Sequence, residues 1–139
     1  MILLDTNVLS ALMQRRPEPV VVAWLDSQPP ESVWTTAVTV FEIRFGFELL
    51  TPGRRRNMLE AAFDAMLRDD LSGRIATFDA AAAEEAAKLA AGRQRRGRPV
   101  DLRDTQIAGI VLARRAALAT RNVRHFEGLN VNLVNPWAK

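Results

Sequence analysis

Short apolar runs in this chain alternate with longer stretches in which apolar residues recur every three or four positions. Ile2-Leu3-Leu4 is an unbroken aliphatic run that stops on Asp5, the pattern of a strand buried on both faces of a parallel sheet. Ser32 to Thr35 (after Pro29-Pro30), Arg74 to Phe78, Ala117 to Ala119 and Val131 to Leu133 read as further strands. Helices are predicted over Asn7 to Met13, Val20 to Ser27, Thr39 to Leu50, Gly53 to Arg68, Asp79 to Gly92 and Asp101 to Arg115. Pro17-Glu18-Pro19 breaks the first two apart, and Gly97 and Pro99 precede the last. Phe41, Phe45 and Leu49 are spaced for one buried helix face, as are Met58, Leu59, Phe63 and Leu67 in the next helix. Ile107, Ile110 and Val111 point inward in the last helix, and Asp79 is the expected N-cap of the Ala-rich one. Strands alternating with helices, with no repeat or linker, predict one α/β unit over residues 1–139 with a central parallel sheet flanked by helices.

Ligands of such sheets bind outside the carboxyl ends of the strands, which is where Asp5 stands. Its structural alternative is to cap the helix beginning near Asn7. Glu42 borders the apolar stripe of its helix, and its alternative is a capping box with Thr39. Asp104 opens the helix carrying Ile107, Ala108 and Val111, and its alternative is a favourable place at a helix N-terminus. Asp101 competes with it as either cap or functional acid. All three acids lie near strand-to-helix transitions, so they converge on one edge of the sheet. Two carboxylates ~4 Å apart repel by roughly 4 kcal/mol at an effective dielectric near 20, so such a cluster calls for a cation. Oxygen ligands alone select Mg²⁺ or Mn²⁺, which polarise phosphates and acidify bound water. That is a kit for cutting a phosphodiester.

Composition narrows the chemistry. The absence of Cys excludes disulfides, thiol catalysis and cysteine-ligated zinc. His125 is the one histidine, which excludes His-rich metal sites and the acid–base histidine pair of metal-free ribonucleases; it reads as a turn residue. No stretch approaches the ~20 apolar residues of a membrane span, so a soluble, cytoplasmic protein is expected. The formal charge is only +3, yet the pI is about 10.5, and 17 of the 19 basic residues are Arg, the residue of bidentate phosphate contacts. High-GC coding enriches Arg equally well.

Leu3-Leu4-Asp5-Thr6-Asn7, Thr39-Val40-Phe41-Glu42-Ile43-Arg44, Asp104-Thr105-Gln106-Ile107-Ala108 and Ala119-Thr120-Arg121-Asn122-Val123-Arg124-His125-Phe126 together resemble the PIN-domain family. Within it the likeness is to the VapC toxins of bacterial toxin–antitoxin pairs and their FitB-like relatives, over the whole chain. The resemblance implies a three-layer PIN-like fold and a Mg²⁺- or Mn²⁺-dependent endoribonuclease silenced by a cognate antitoxin. It maps the metal-binding, catalytic acids onto Asp5, Glu42 and Asp104. Many members carry a fourth acid where this chain has Asn122, so one firmly bound ion is expected, with a second only when substrate phosphate helps hold it. Thr6, Asn7, Thr120 and Asn122 would orient carboxylates and water.

Arg44, Arg103, Arg121 and Arg124 lie close to these acids and would hold RNA backbone, with Arg93, Arg95, Arg96 and Arg98 just ahead of Asp104. A homodimer, joined by antitoxin into a tetramer or larger assembly, is expected from the resemblance and from apolar content in Val20–Leu25 and at Phe41, Phe45 and Phe47. Operator DNA would be reached only through the antitoxin. Two alternatives compete. A haloacid-dehalogenase-like phosphatase also starts on a strand ending in Asp, but needs a second Asp where Asn7 stands and a Lys for which only Lys88 offers itself. A non-catalytic module that binds only antitoxin and operator would show a degenerate site, whereas three acids remain.

Overall fold

The chain runs β1 (Ile2–Leu4), α1 (Thr6–Leu12), α2 (Pro19–Asp26), β2 (Val33–Thr36), α3 (Ala37–Leu49), α4 (Arg54–Ala65), β3 (Ile75–Ala76), α5 (Ala80–Arg95), α6 (Leu102–Ala113), β4 (Ala117–Ala119) and β5 (Asn132–Val134) in a computed structural model that describes residues 1–138. All strands are parallel, in the order β3-β2-β1-β4-β5. From β1 the chain winds outward through β2 and β3, then returns to the other side of β1 for β4 and β5. The winding direction therefore reverses between β1 and β4, the place where open α/β sheets form a ligand crevice. Leu4 stands opposite Thr35 and Ala119, so Asp5, Thr36 and Thr120 emerge together at one edge.

Successive strand residues face opposite sides of a sheet. Leu3 and Leu118 pack with Ile107, Ile110, Val111 and Phe126 on one side; Leu4 and Ala119 pack with Val8, Leu9, Val21, Phe47 and Phe63 on the other. Each fully buried Leu or Phe contributes roughly 1.5–3 kcal/mol of transfer free energy, which is why so short a strand can be central. The result is three layers. Helices α1, α2 and α4 cover one face, α5 and α6 the other, and α3 reaches both through Val38 and Ile43. Helices α5 and α6 approach closely at Gly109, where a Cβ would fall 2.5 Å from the Ala82 carbonyl oxygen.

The expected stripe on α3 is corrected by the structure. Phe41, Phe45 and Leu49 are 55%, 45% and 71% exposed, whereas Val38, Ile43 and Phe47 are buried. The reason lies in the start of the helix. Thr36, not Thr39, is the N-cap, its hydroxyl accepting from the Thr39 amide at 3.0 Å. Two residues turn a helix by roughly 200°, so burying Ile43 sends Phe41 outward. Both stripes have helical spacing, and periodicity cannot choose between them. In α4, Phe63 is buried but Met58 faces solvent. A π-helical turn (Met66–Asp70) extends α4, and β3 is shorter than the five-residue strand expected. Asp79 caps α5 through the Ala82 amide, as expected. Among the described residues no helix is long and apolar enough to cross a membrane.

Candidate active site

Asp5 continues β1 past its last residue, donating its amide to the Ala119 carbonyl at 3.0 Å. Its carboxylate is buried and held on both oxygens. Oδ1 accepts from the Thr6 amide at 2.8 Å, and Oδ2 accepts from the Thr120 hydroxyl at 2.8 Å and the Asn7 amide group at 3.4 Å. The capping reading of Asp5 is therefore correct in part: it is the N-cap of α1. A cap needs no buried second oxygen, however, and that oxygen is fixed by a residue 115 positions away. Burial pushes the Asp5 carboxyl above its ordinary pKa, while the Thr120, Thr6 and Asn7 hydrogen bonds pull it back. Asn7 and Thr120 join the first turn of α1 to the segment after β4. Asn7 Nδ2 donates to Thr120 Oγ1 at 3.3 Å, and Asn7 Oδ1 accepts from the Arg121 amide at 2.9 Å. The Asn122 amide donates to Thr120 Oγ1 at 3.0 Å.

Glu42 lies in the second turn of α3, too far from the Thr36 cap to serve it, so the capping-box alternative falls. Burial raises its pKa, Asp5 and Asp104 raise it further, and Arg103 at 3.9 Å lowers it. Asp104 stands in the first turn of α6, where Asp101 is the cap, accepting from the Asp104 amide at 2.9 Å. Asp101 is thus the cap, and it lines the same cleft as Asp104. Burial first, then the Asp101 and Asp5 charges, push the Asp104 carboxyl upward, while His125 Nδ1, 3.2 Å from Oδ2, lowers it. Asp5, Glu42 and Asp104 line one cleft of about 520 Å³ together with Thr6, Asn7 and Asn122.

The arginines are dispersed. Arg103 lines the cleft, its guanidinium 5.4 Å and 5.5 Å from the centroids of the Phe41 and Phe45 rings. Arg44 turns away: it pairs with Asp64 at 2.6 Å and lies over Phe63, tying α3 to α4. Arg121 rests on Trp137, and Arg124 is exposed beside His125. Arg93 binds the carbonyls of Pro99, His125 and Glu127, a structural task. His125, read from sequence as a turn residue, does occupy a 3₁₀ turn but also reaches the cleft. Its place next to Asp104 comes from the start of α6 meeting the 3₁₀ turn after β4, and no sequence spacing could show it. Lys88 pairs with Glu85 on an exposed side of α5 and does not line the cleft, which removes the lysine a dehalogenase-like phosphatase needs.

A hard divalent cation fits these residues. The carboxylates and hydroxyls that face the cleft are oxygen donors, and the buried Thr6 hydroxyl stands beside Glu42. Among the described residues no three acidic or imidazole groups close into a ready-made cage. Mg²⁺ does not ask for one, since it keeps several waters and leans on one or two carboxylates plus substrate phosphate. Burial raises the pKa of all three carboxylates, and neighbouring carboxylate charges add to this at Glu42 and Asp104; a bound cation would offset both effects.

Comparison with known proteins adds a family. The PIN domain model matches residues 2–129. The chain is 35% identical over 137 residues to the VapC ribonuclease Y4jK of Sinorhizobium fredii, covering 99% of this chain and 98% of that one. It is 36% identical to toxin FitB of Neisseria gonorrhoeae, with 99% of each covered. The solved structure of FitAB bound to the IR36 DNA fragment superposes with a TM-score of 0.88 at 35% identity, over 100% of this chain and 97% of that one.

Proposed function

The chain belongs to the PIN-domain family, and from that premise we propose that it is a Mg²⁺- or Mn²⁺-dependent endoribonuclease, the toxin of a toxin–antitoxin pair. The observation that carries this reading is the meeting of Asp5, Glu42 and Asp104, from three separate elements, in one cleft at the reversal of the sheet. The names of the relatives, a VapC ribonuclease and a toxin, point the same way.

In this reading Asp5, Glu42 and Asp104 hold the cation, which would polarise the scissile phosphate and acidify a water. The rest falls to the chain's own groups. Thr120, Thr6 and Asn7 keep Asp5 in one rotamer, so that little ordering remains to be done when substrate arrives. Arg103 beside Glu42 offsets part of the acidic field and offers N–H donors to RNA phosphate. Arg121 and Arg124 extend the basic rim, and Asn122 can orient a water but carries no charge. Arg44, engaged with Asp64, is the weakest of the proposed RNA contacts. The antitoxin, by which alone the complex would reach operator DNA, silences the site most simply by setting an Arg or Lys against the acids. A homodimer would cover exposed Phe41, Phe45 and Leu49 beside the cleft; buried Phe47 has no part in it.

Cleavage of a mixed-sequence single-stranded RNA tests the reading. Asp104→Asn, Asp5→Asn and Glu42→Gln each abolish cutting with Mg²⁺ or Mn²⁺, EDTA abolishes it in the wild type, and Ca²⁺ supports little. Wild-type cleavage by Asp104→Asn would move the role to Asp101, and undiminished cleavage in excess EDTA would remove the cation. Release of phosphate from small monoesters without RNA cutting would replace a nuclease by a phosphatase.

A further inference from the structure

Trp137 is fixed more firmly than a residue beyond the last strand needs to be. Its backbone amide donates to Asn135 Oδ1 at 3.0 Å, and its indole N–H donates to Glu18 Oε2 at 3.0 Å, at the start of α2. Trp137 packs, partly buried, against the core on the α1, α2 and α4 side. The Arg121 guanidinium lies 4.9 Å from the ring centroid. Arg121 is exposed and forms no ion pair among the described residues. Its backbone amide is meanwhile pinned to Asn7 Oδ1, and Asn7 in turn holds Asp5.

From these contacts we infer that Trp137 is a positioning residue, an aromatic shelf that restrains Arg121, the chain neighbour of cleft-lining Asn122, as a ready-made contact for RNA phosphate beside the acidic cleft. The inference rests on the ribonuclease reading and adds to it a residue outside the cleft. A guanidinium stacked on a ring keeps its N–H edge free, because the ring engages only its face. An ion pair would do the opposite and occupy the donors. A free Arg side chain loses much rotamer freedom when it binds, and a shelf that restrains it beforehand reduces that loss. Glu18 takes part by accepting from the indole N–H, and it forms no ion pair with Arg121 among the described residues.

The test is binding of a fluorescent, mixed-sequence single-stranded oligoribonucleotide, with EDTA present to keep it intact, across a salt series. Arg121→Ala should weaken binding about three- to tenfold and lower the salt slope by about 0.7, the share of one phosphate contact on a single strand. Trp137→Leu, which keeps apolar volume and removes the π face, should reproduce a large part of both effects, and the double variant should be no weaker than Arg121→Ala. Trp137→Phe, which keeps a ring face, should retain binding and slope. If Trp137→Leu and Trp137→Phe behave alike, or if the double variant is weaker by the product of the two effects, Trp137 merely packs and the shelf is wrong. Loss of binding in Arg103→Ala with none in Arg121→Ala would refute the shelf and leave the ribonuclease reading standing. A wild-type protein that binds no RNA at low salt would remove both.

Discussion

At the scale of the residue, the site holds three carboxylates whose protonated forms are favoured by the fold. Asp5, Glu42 and Asp104 have pKa values raised above their ordinary 3.8, 4.5 and 3.8, in each case chiefly by burial. A raised folded pKa means that the folded chain binds these protons more tightly than the unfolded chain does. Stability in metal-free buffer therefore falls as pH rises from the ordinary carboxylate values through the raised ones, and is recovered as pH falls again. Glu42→Gln removes a charge that Asp5 and Asp104 both oppose, so its Tm without metal should exceed that of the wild type by a few degrees, with the gap closing at low pH. Calorimetry between pH 4 and 8 checks this. An equal Tm at every pH would mean that Arg103 already cancels the repulsion.

At the scale of the element, the fold depends on where helices begin and how closely they approach. Thr36 sets the start of α3 and thereby turns Ile43 and Phe47 inward and Glu42 toward the cleft. Gly109 sets the distance between α6 and α5. A methyl at that position meets the Ala82 carbonyl oxygen at 2.5 Å and Ala86 Cβ at 2.8 Å, both on a neighbouring helix that cannot yield independently. Gly109→Ala should accordingly destabilise by about 1–3 kcal/mol despite the better helix propensity of Ala. Because α6 carries Asp104, the same change should lower RNA cleavage even where the protein remains folded. Urea unfolding and cleavage assays on one preparation test both halves. A stabilised variant would show that the helices can part at little cost.

At the scale of the whole molecule, Phe41, Phe45 and Leu49 are exposed on α3, as is Leu102, which lines the cleft. Phe41 and Phe45 stack with centroids 6.0 Å apart under Arg103, which lines the cleft, so this apolar surface adjoins the acidic cleft. Sedimentation at micromolar concentration should give twice the 15.5 kDa chain mass, and Phe45→Glu should halve it. Phe45 is solvent-exposed in the single chain, so the substitution leaves the core untouched. A wild-type monomer that cleaves RNA would discard the dimer.

The order of strands and helices, the end of β1 at Asp5 and the Asp79 cap were legible in the chain, since each depends on neighbours within a few residues. The three acids could be selected by position and by resemblance, because strand ends in a parallel sheet share one edge. Their surroundings could not. Which of two helical stripes on α3 turned inward depended on the cap at Thr36 and the sheet beneath it. Which of Asp101 and Asp104 caps α6 depended on the carboxylate that the helix amides engaged, and both line the cleft. The Thr120 clamp on Asp5, His125 beside Asp104, Arg44 on Asp64 and Trp137 under Arg121 join positions that are 115, 21, 20 and 16 residues apart. Local sequence encodes dihedral preference and burial period, whereas contacts between distant elements exist only once the chain has packed around the sheet.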